Sequence, residues 1–379
     1  MENNNSAQLR LEYLFDGGEY NLLGSAVREN NSPAAVICAY GLVNGSPVYA
    51  FSQDRTVNSG AVGSAHAQKI SKLYSLAAKT GTPVVGIHDS NGAFVDGSAV
   101  SLAAYGEILN RCSVISGVVP QITVIAGTCA GSAAMVACSS DFVIMTKDSE
   151  FFMTPPFDEQ KGEYGSAKSA LCAGTAALVC DDDKIAMGKV KELLSLLPPN
   201  NITSPPYFEY EDPDTEVPGK SADLIYSIMD KDSAFELYDG FGTAAYTALG
   251  TVGGQTVGIA ATNKTNSKLT GDDCSKLSRF IRTCDAFSIP VITVIDTLGV
   301  QAQSAEALAT NIKELTKLAN CYAEATTAKI SVVTGNAIGP AFIALAGKNV
   351  NADFTFAWEN AVISPFAPLT GTEFLWRDK

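Results

Sequence analysis

Two glycine-bearing corners carry the residues best suited to chemistry. The first lies in Pro120 to Ala133, PQITVIAGTCAGSA, and the second in Ala328 to Ala341, AKISVVTGNAIGPA. The pairs Gly127/Gly335, Gly131/Gly339 and Ala133/Ala341 keep one constant offset. Each corner follows an apolar run that reads as a buried strand, and glycine there removes the side chain that would keep a ligand off the main chain. What such a corner offers is a set of backbone N–H groups, which suits a developing oxyanion. Two matching corners predict two half-sites able to face each other.

Side-chain chemistry is sparse by comparison. There are two histidines, His66 and His88, and nine cysteines with no pair at CxxC spacing, which argues against a Cys/His zinc cluster. Cys129 sits inside the first corner but has no evident His partner, so packing is the favoured reading over a nucleophile. No Ser/His/Asp set and no obvious carboxylate pair stands out.

The elements that position the corners are themselves duplicated. Gly41 to Val48 (GLVNGSPV) aligns with Gly250 to Val257 (GTVGGQTV), each a hairpin with a glycine-containing turn. His66 to Asp89 matches Asp273 to Asp296 in plan: an amphipathic helix, a break at Gly81-Thr82-Pro83 or Ile289-Pro290, and a buried strand ending in Asp. A second helix, the corner strand and a third helix follow, and Asp141-Phe142 or Asp353-Phe354 opens a further strand. This order predicts an α/β chain of two tandem domains of one fold. The boundaries expected are 1–200 and 220–379, joined by a linker over 201–219, because the stretch from Pro198 to Gly219 holds six prolines among acidic and polar residues. Thr154 to Leu197 has no counterpart in the second half and reads as helices, either a lid or an interface.

A length of 379 residues with 46% hydrophobic and 17% charged residues supplies enough apolar material for two cores and for oligomer contacts. The formal charge of −14 argues against nucleic acid or anionic membranes as partners, since phosphate binding relies on clustered Lys and Arg. Met1 is followed by Glu2-Asn3-Asn4-Asn5, not by a signal sequence, and no long uninterrupted apolar run follows, so the expected location is cytoplasmic. An odd cysteine count there predicts reduced thiols.

The motif order resembles that of the carboxyltransferase subunits of biotin-dependent acyl-CoA carboxylases and of the related decarboxylases. It is carried by NSGAVGSAHAQKI at Asn58 to Ile70, GIHD at Gly86 to Asp89, GTCAGS at Gly127 to Ser132, DFVIM at Asp141 to Met145, SKLSRFIRTCDAFSIP at Ser275 to Pro290, VITVID at Val291 to Asp296 and KISVVTGNAIGPA at Lys329 to Ala341. The resemblance implies two crotonase-like domains of the ββα-spiral type, the first domain of one subunit facing the second of its neighbour in a homo- or hetero-oligomer. It implies an acyl-CoA thioester on the first domain and carboxybiotin on the second. The biotin is presented by a biotin carboxyl carrier protein and served by biotin carboxylase or membrane decarboxylase subunits. A carboxyl group then moves between biotin N1 and the carbon beside the thioester carbonyl, through an enolate and a ureido oxyanion. By motif match Gly131 and Ser132 supply the thioester donors and Ala341 the donor of the second site, with Gly127, Ala130, Gly339 and Pro340 shaping the two pockets.

The chain departs from the family pattern at named places. Gly131-Ser132 replaces Gly-Gly, and Gly339-Pro340-Ala341 replaces Gly-Gly-Ala and so lacks one N–H. Thr297-Leu298-Gly299-Val300-Gln301 runs quickly into a helix where the family has a longer Pro-Gly-Phe loop, and the sequence stops at Lys379, before the family's usual C-terminal segment. Two other functions fit the same residues: a non-catalytic assembly subunit, or a biotin-independent crotonase-type enzyme with Asp96 or Glu107 as base over the first corner. His66 and His88 read as structural, Asp89 and Asp296 as turn or helix-cap residues, Asp181 to Lys184 as a solvated turn, and Lys276, Arg279 and Arg282 as a solvated helix face.

Overall fold

The computed structural model describes residues 6–29, 32–97, 99–154, 164–213, 223–301, 304–345 and 347–376. The chain forms two compact units, Met1–Thr203 and Ser204–Lys379. The end expected for the linker, residue 219, and the start of the second domain, residue 220, lie outside the described residues.

The strands of the first unit are β1 (Tyr20–Leu23), β2 (Arg28–Glu29), β3 (Ser32–Pro33), β4 (Val36–Val43), β5 (Ser46–Gln53), β6 (Val84–Ser90), β7 (Gln121–Ala130), β8 (Phe142–Thr146), β9 (Glu150–Phe152) and β10 (Leu178–Cys180). Its helices are α1 (Ser6–Leu14), α2 (Ser64–Thr80), α3 (Ala99–Val114), α4 (Ser132–Cys138), α5 (Ala167–Cys172) and α6 (Asp183–Leu196). The main sheet runs β1-β4-β5-β6-β7-β8-β10, with β9 beside the end of β7. The hairpin of β4 and β5 turns at Asn44-Gly45, both with positive φ, as a two-residue turn requires. From β5 onward the pairs are parallel.

In α2, Ala67, Ile70, Leu73, Tyr74 and Ala77 recur at helical spacing and are buried, and Gly81 in the left-handed region (φ 62°) ends the helix with its N–H on the Ala77 carbonyl. The Thr154 to Leu197 stretch holds strand β10 as well as helices, which corrects its all-helical reading. Within it α6 buries Ala186, Met187, Val190, Leu193 and Leu196.

The second unit repeats the plan with β11 (Phe235–Glu236), β12 (Tyr246–Val252), β13 (Gln255–Ala261), β14 (Val291–Thr297), β15 (Lys329–Ile338), β16 (Phe354–Ala357) and β17 (Val362–Ser364). The helices are α7 (Gly271–Ala286), α8 (Ala305–Glu324), α9 (Pro340–Ala344) and α10 (Pro368–Trp376). Its sheet order is β11-β12-β13-β14-β15-β16, with β17 beside the end of β15. The hairpin turns at Gly253-Gly254, again with both φ positive. A capping box opens α7: the Thr270 hydroxyl accepts the Asp273 N–H and the Asp273 carboxylate accepts the Thr270 N–H.

Both corner strands are anchored alike at their starts. The Gln121 N–H donates to Asp141 at 2.8 Å and the Lys329 N–H to Asp353 at 2.7 Å. Among the described residues no helix is long and apolar enough to cross a membrane.

Candidate functional site

Strand β7 ends at Ala130, and Gly131 turns the chain into α4 with φ 61° and ψ −129°, a conformation that a β-carbon would strain. Gly339 makes the same turn between β15 and α9, with φ 62° and ψ −146°. The Gly131 N–H donates to the Phe152 carbonyl at 2.9 Å, so it is committed to β9 and is not the free donor expected of it. The open pair shifts by one residue. The N–H groups of Ser132 and Ala133 open α4 with no acceptor among the described residues, whereas the Ala134 N–H turns back to the Gly131 carbonyl at 3.0 Å. In the second unit the Gly339 N–H is held by the Ser364 carbonyl at 2.8 Å and Pro340, at the first helical position, has none. That leaves the Ala341 N–H.

Gly127 and Gly335 each lie under a carboxylate. A β-carbon on Gly127 would collide with the Asp89 carboxylate, and one on Gly335 with that of Asp296. These aspartates sit opposite bulges in the corner strands: one residue of β6 faces Ala126, Gly127 and Thr128, and one residue of β14 faces Thr334, Gly335 and Asn336. Their carboxylates bind the bulges, which corrects the turn or helix-cap role expected of them. The Asp89 carboxylate accepts from Arg10 Nη1 at 2.9 Å, Arg55 Nη1 at 3.3 Å and the Thr128 N–H at 3.3 Å. Asp296 accepts from the Asn336 N–H at 2.7 Å and Asn263 Nδ2 at 2.8 Å.

Sequence reasoning missed Gly92 and Gly299. Each follows a corner-facing strand, has a φ near +100° (105° and 98°) and runs back against the corner strand. A β-carbon on Gly92 would lie 3.0 Å from the Ala130 carbonyl oxygen, and one on Gly299 3.5 Å from that of Ile338. Their N–H groups go to the hydroxyls of Ser90 (3.1 Å) and Thr297 (3.2 Å). The signal was present as one more duplicated glycine, three residues past each Asp. Ala93, which follows Gly92, also has no acceptor for its N–H among the described residues.

Burial makes the two histidines and Cys129 unsuited to proton transfer near neutral pH. Burial lowers the pKa of His66 to about 3 and of His88 to about 4, so both rings stay neutral. His66 Nε2 lies 3.4 Å from Gln53 Nε2, and His88 packs edge-on against Phe51. Burial raises the Cys129 thiol pKa well above its usual range, which removes it as a nucleophile. Asp96 is exposed in a short turn, and Glu107 lies on the exposed face of α3. The expected basic face of α7 is corrected at one position. Lys276 is buried, donates to the Ala245 carbonyl at 2.9 Å, and has its pKa lowered by burial to about 8, while Arg279 stacks over Tyr238 and Arg282 is exposed. Among the described residues no group of His, Cys, Asp and Glu could hold a metal ion.

Two tandem α/β units, each presenting a strand–glycine–helix corner with unpaired backbone donors, define a crotonase-like carboxyltransferase architecture. The chain belongs to the carboxyl transferase family, whose domain model matches residues 2–379. It is 34% identical over 410 residues to the methylmalonyl-CoA decarboxylase subunit alpha of Propionigenium modestum, across 98% of this chain and 79% of that protein. It is 33% identical over 408 residues to the propionyl-CoA carboxylase beta chain of Roseobacter denitrificans, across 98% of this chain and 80% of that protein. A transcarboxylase 12S structure, a hexamer with methylmalonyl-coenzyme A bound, superposes with a TM-score of 0.94 at 30% identity, over 98% of this chain and 80% of that one. A single-chain, multi-domain long-chain acyl-CoA carboxylase shares the fold at 21% identity, with a TM-score of 0.86.

Proposed function

We propose that this chain transfers a carboxyl group between N1 of biotin and the carbon beside the thioester carbonyl of a short acyl-CoA of the propionyl- and methylmalonyl-CoA class. The observation that carries the reading is the pair of unpaired N–H groups at Ser132 and Ala133, directly after a glycine held at φ 61°. The thioester oxygen gains negative charge as the adjacent carbon becomes nucleophilic. Two preorganised amides stabilise it with little reorganisation as that charge develops. The buried, neutral state of His66 and His88 agrees with a reaction that uses no side-chain base at this corner, the α-carbon proton being one that the biotin N1 left by the carboxyl group would take.

The second corner suits biotin with one donor. The Ala341 N–H would hold the ureido oxygen, since the Gly339 N–H is already bonded and Pro340 has none. Biotin, when bound on a carrier protein, supplies or accepts the carboxyl group. Biotin carboxyl carrier, biotin carboxylase or decarboxylase subunits are the partners this reading requires, in a homo- or hetero-oligomer.

The test is carboxyl exchange between biotin and acetyl-, propionyl- and methylmalonyl-CoA, alongside direct titration of each thioester. Exchange with a three- or four-carbon acyl group supports the reading. A folded chain that binds none of the thioesters, or binds them without exchange when every partner subunit is present, overturns it. Pro340 favours a second reading, an acyl-CoA-binding assembly subunit that leaves catalysis to a relative. Thioester binding without exchange is its signature.

A further inference from the structure

We propose that Arg10 and Asp89 are positioning residues for the first corner, setting the direction in which the Ser132 and Ala133 N–H groups point; the catalytic part of this proposal rests on the function proposed above. Arg10 is 5% exposed, on α1, a helix that contributes nothing to the corner itself. Its guanidinium makes three bonds to three elements: Nε to Asp183 of α6 at 2.7 Å, Nη1 to Asp89 of β6 at 2.9 Å, and Nη2 to the Ala126 carbonyl of β7 at 2.8 Å. The last two hold the bulge at two points, one through the carboxylate that faces it and one through its first carbonyl. Arg55 adds a second brace, with Nη1 on Asp89 and, at 2.7 Å, on the Thr128 hydroxyl.

The bulge ends at Thr128 and the glycine turn follows at Gly131. The Asp89 carboxylate occupies the space where a β-carbon on Gly127 would stand. Ile125 and Cys129 on either side of the bulge are packed in the core, while the three bulged residues between them are held by a buried charge pair. A guanidinium fits this role because its planar fork aims separate N–H groups at fixed angles to Asp183, Asp89 and the Ala126 carbonyl, whereas a lysine ammonium is one point charge on a flexible stem. In the second unit the equivalent carboxylate, Asp296, is met by amides, Asn263 Nδ2 and the Asn336 N–H. A misplacement of about 1 Å in a preorganised donor is enough to cost about 100-fold in rate.

The variants are Asp89→Asn, Arg10→Lys and the half-exposed Arg55→Ala, with Leu193→Ala in the α6 core as a control for stability alone. In the full chain with its partner subunits, Asp89→Asn and Arg10→Lys should lower kcat by about 10- to 100-fold, with the thioester KM within about 3-fold. Arg55→Ala should lower kcat by less, about 3- to 10-fold. Amide hydrogen exchange should quicken at residues 126–134 and stay unchanged at 334–342. Leu193→Ala should lower the melting temperature without this signature. Either a folded Arg10→Lys or Arg55→Ala variant with wild-type kcat, or exchange that quickens throughout the first unit as in Leu193→Ala, overturns the proposal. If the wild-type chain shows no carboxyl exchange, the proposed function falls, while the local hydrogen-exchange comparison still decides the positioning role. Arg10→Lys and Arg55→Ala keep the test open should Asp89→Asn fail to fold.

Discussion

The Gly339 N–H donates to the Ser364 carbonyl at 2.8 Å, the counterpart of the 2.9 Å bond from Gly131 to Phe152 in the first unit. Both turn glycines thus spend their amides on a neighbouring strand, and the donors left for a ligand are the next two residues. At the first corner these are Ser132 and Ala133. At the second, proline occupies one of the two positions.

Proline at that place is structurally tolerated, because α9 begins on it with its fixed φ and needs no N–H there. Ser132→Pro should therefore keep the first unit folded while deleting one donor. Steady-state exchange should show kcat/KM for the acyl-CoA falling by about 100- to 1000-fold, the usual effect of removing one oxyanion donor. A folded Ser132→Pro protein with wild-type kinetics would remove the first corner from the mechanism.

Pro340→Gly makes the opposite change and restores an N–H beside Ala341. Carboxyl exchange with biotin should rise by about 10- to 100-fold, short of a full donor because glycine leaves the turn less ordered than proline does. Thioester affinity at the first unit should not move. If exchange is no faster in Pro340→Gly with every partner present, the missing N–H is not what limits the second corner.

Gly127→Ala and Gly335→Ala should each destabilise their own unit. The new methyl group meets the carboxylate of Asp89 or Asp296, and overpacking of this kind costs about 1 to 3 kcal/mol. Urea titration read separately on each unit, by hydrogen exchange, should place each loss where its glycine lies. Losses confined to ligand affinity, with stability intact, would instead return these glycines to the binding surface.

The two histidines predict a pH dependence. Desolvation by burial holds His66 at about 3 and His88 at about 4 in the folded chain, against about 6.5 when unfolded. Below about pH 6.5 the unfolded chain binds protons that the folded chain refuses, so this stability is fully present above pH 6.5 and is lost as pH falls toward 4 and then 3. Melting temperatures measured from about pH 7.5 down to about pH 4.5 should decline, and His88→Phe, which keeps a ring against Phe51, should shallow the slope. An unchanged slope in His88→Phe would assign the decline to other groups.

Much of the architecture was legible because it was written twice. Hairpin, helix, strand ending in Asp, second helix, glycine corner and helix recur in order, and local signals such as Gly81 after α2 or the Thr270/Asp273 box at α7 mark where elements stop and start. Lys276 was misread because spacing along a helix cannot say which face is buried. Its stem lies inside, with the ammonium on the Ala245 carbonyl.

The sequence by itself determined the two-unit plan, the two corners and the missing donor at Pro340, because hydrophobic periodicity, glycine conformation and the absence of a proline N–H are local properties of the chain. Only the tertiary structure decided which amides remain free and what Gly127 and Gly335 are for. Those depend on partners far away in sequence. Phe152 and Ser364 take the turn amides, and Asp89 and Asp296 fill the space above the glycines. Arg10 reaches across from the first helix to fix the strand that leads into the corner. Such pairings follow from which strands lie side by side and from the reach of side chains across them, and no window along the sequence contains both partners.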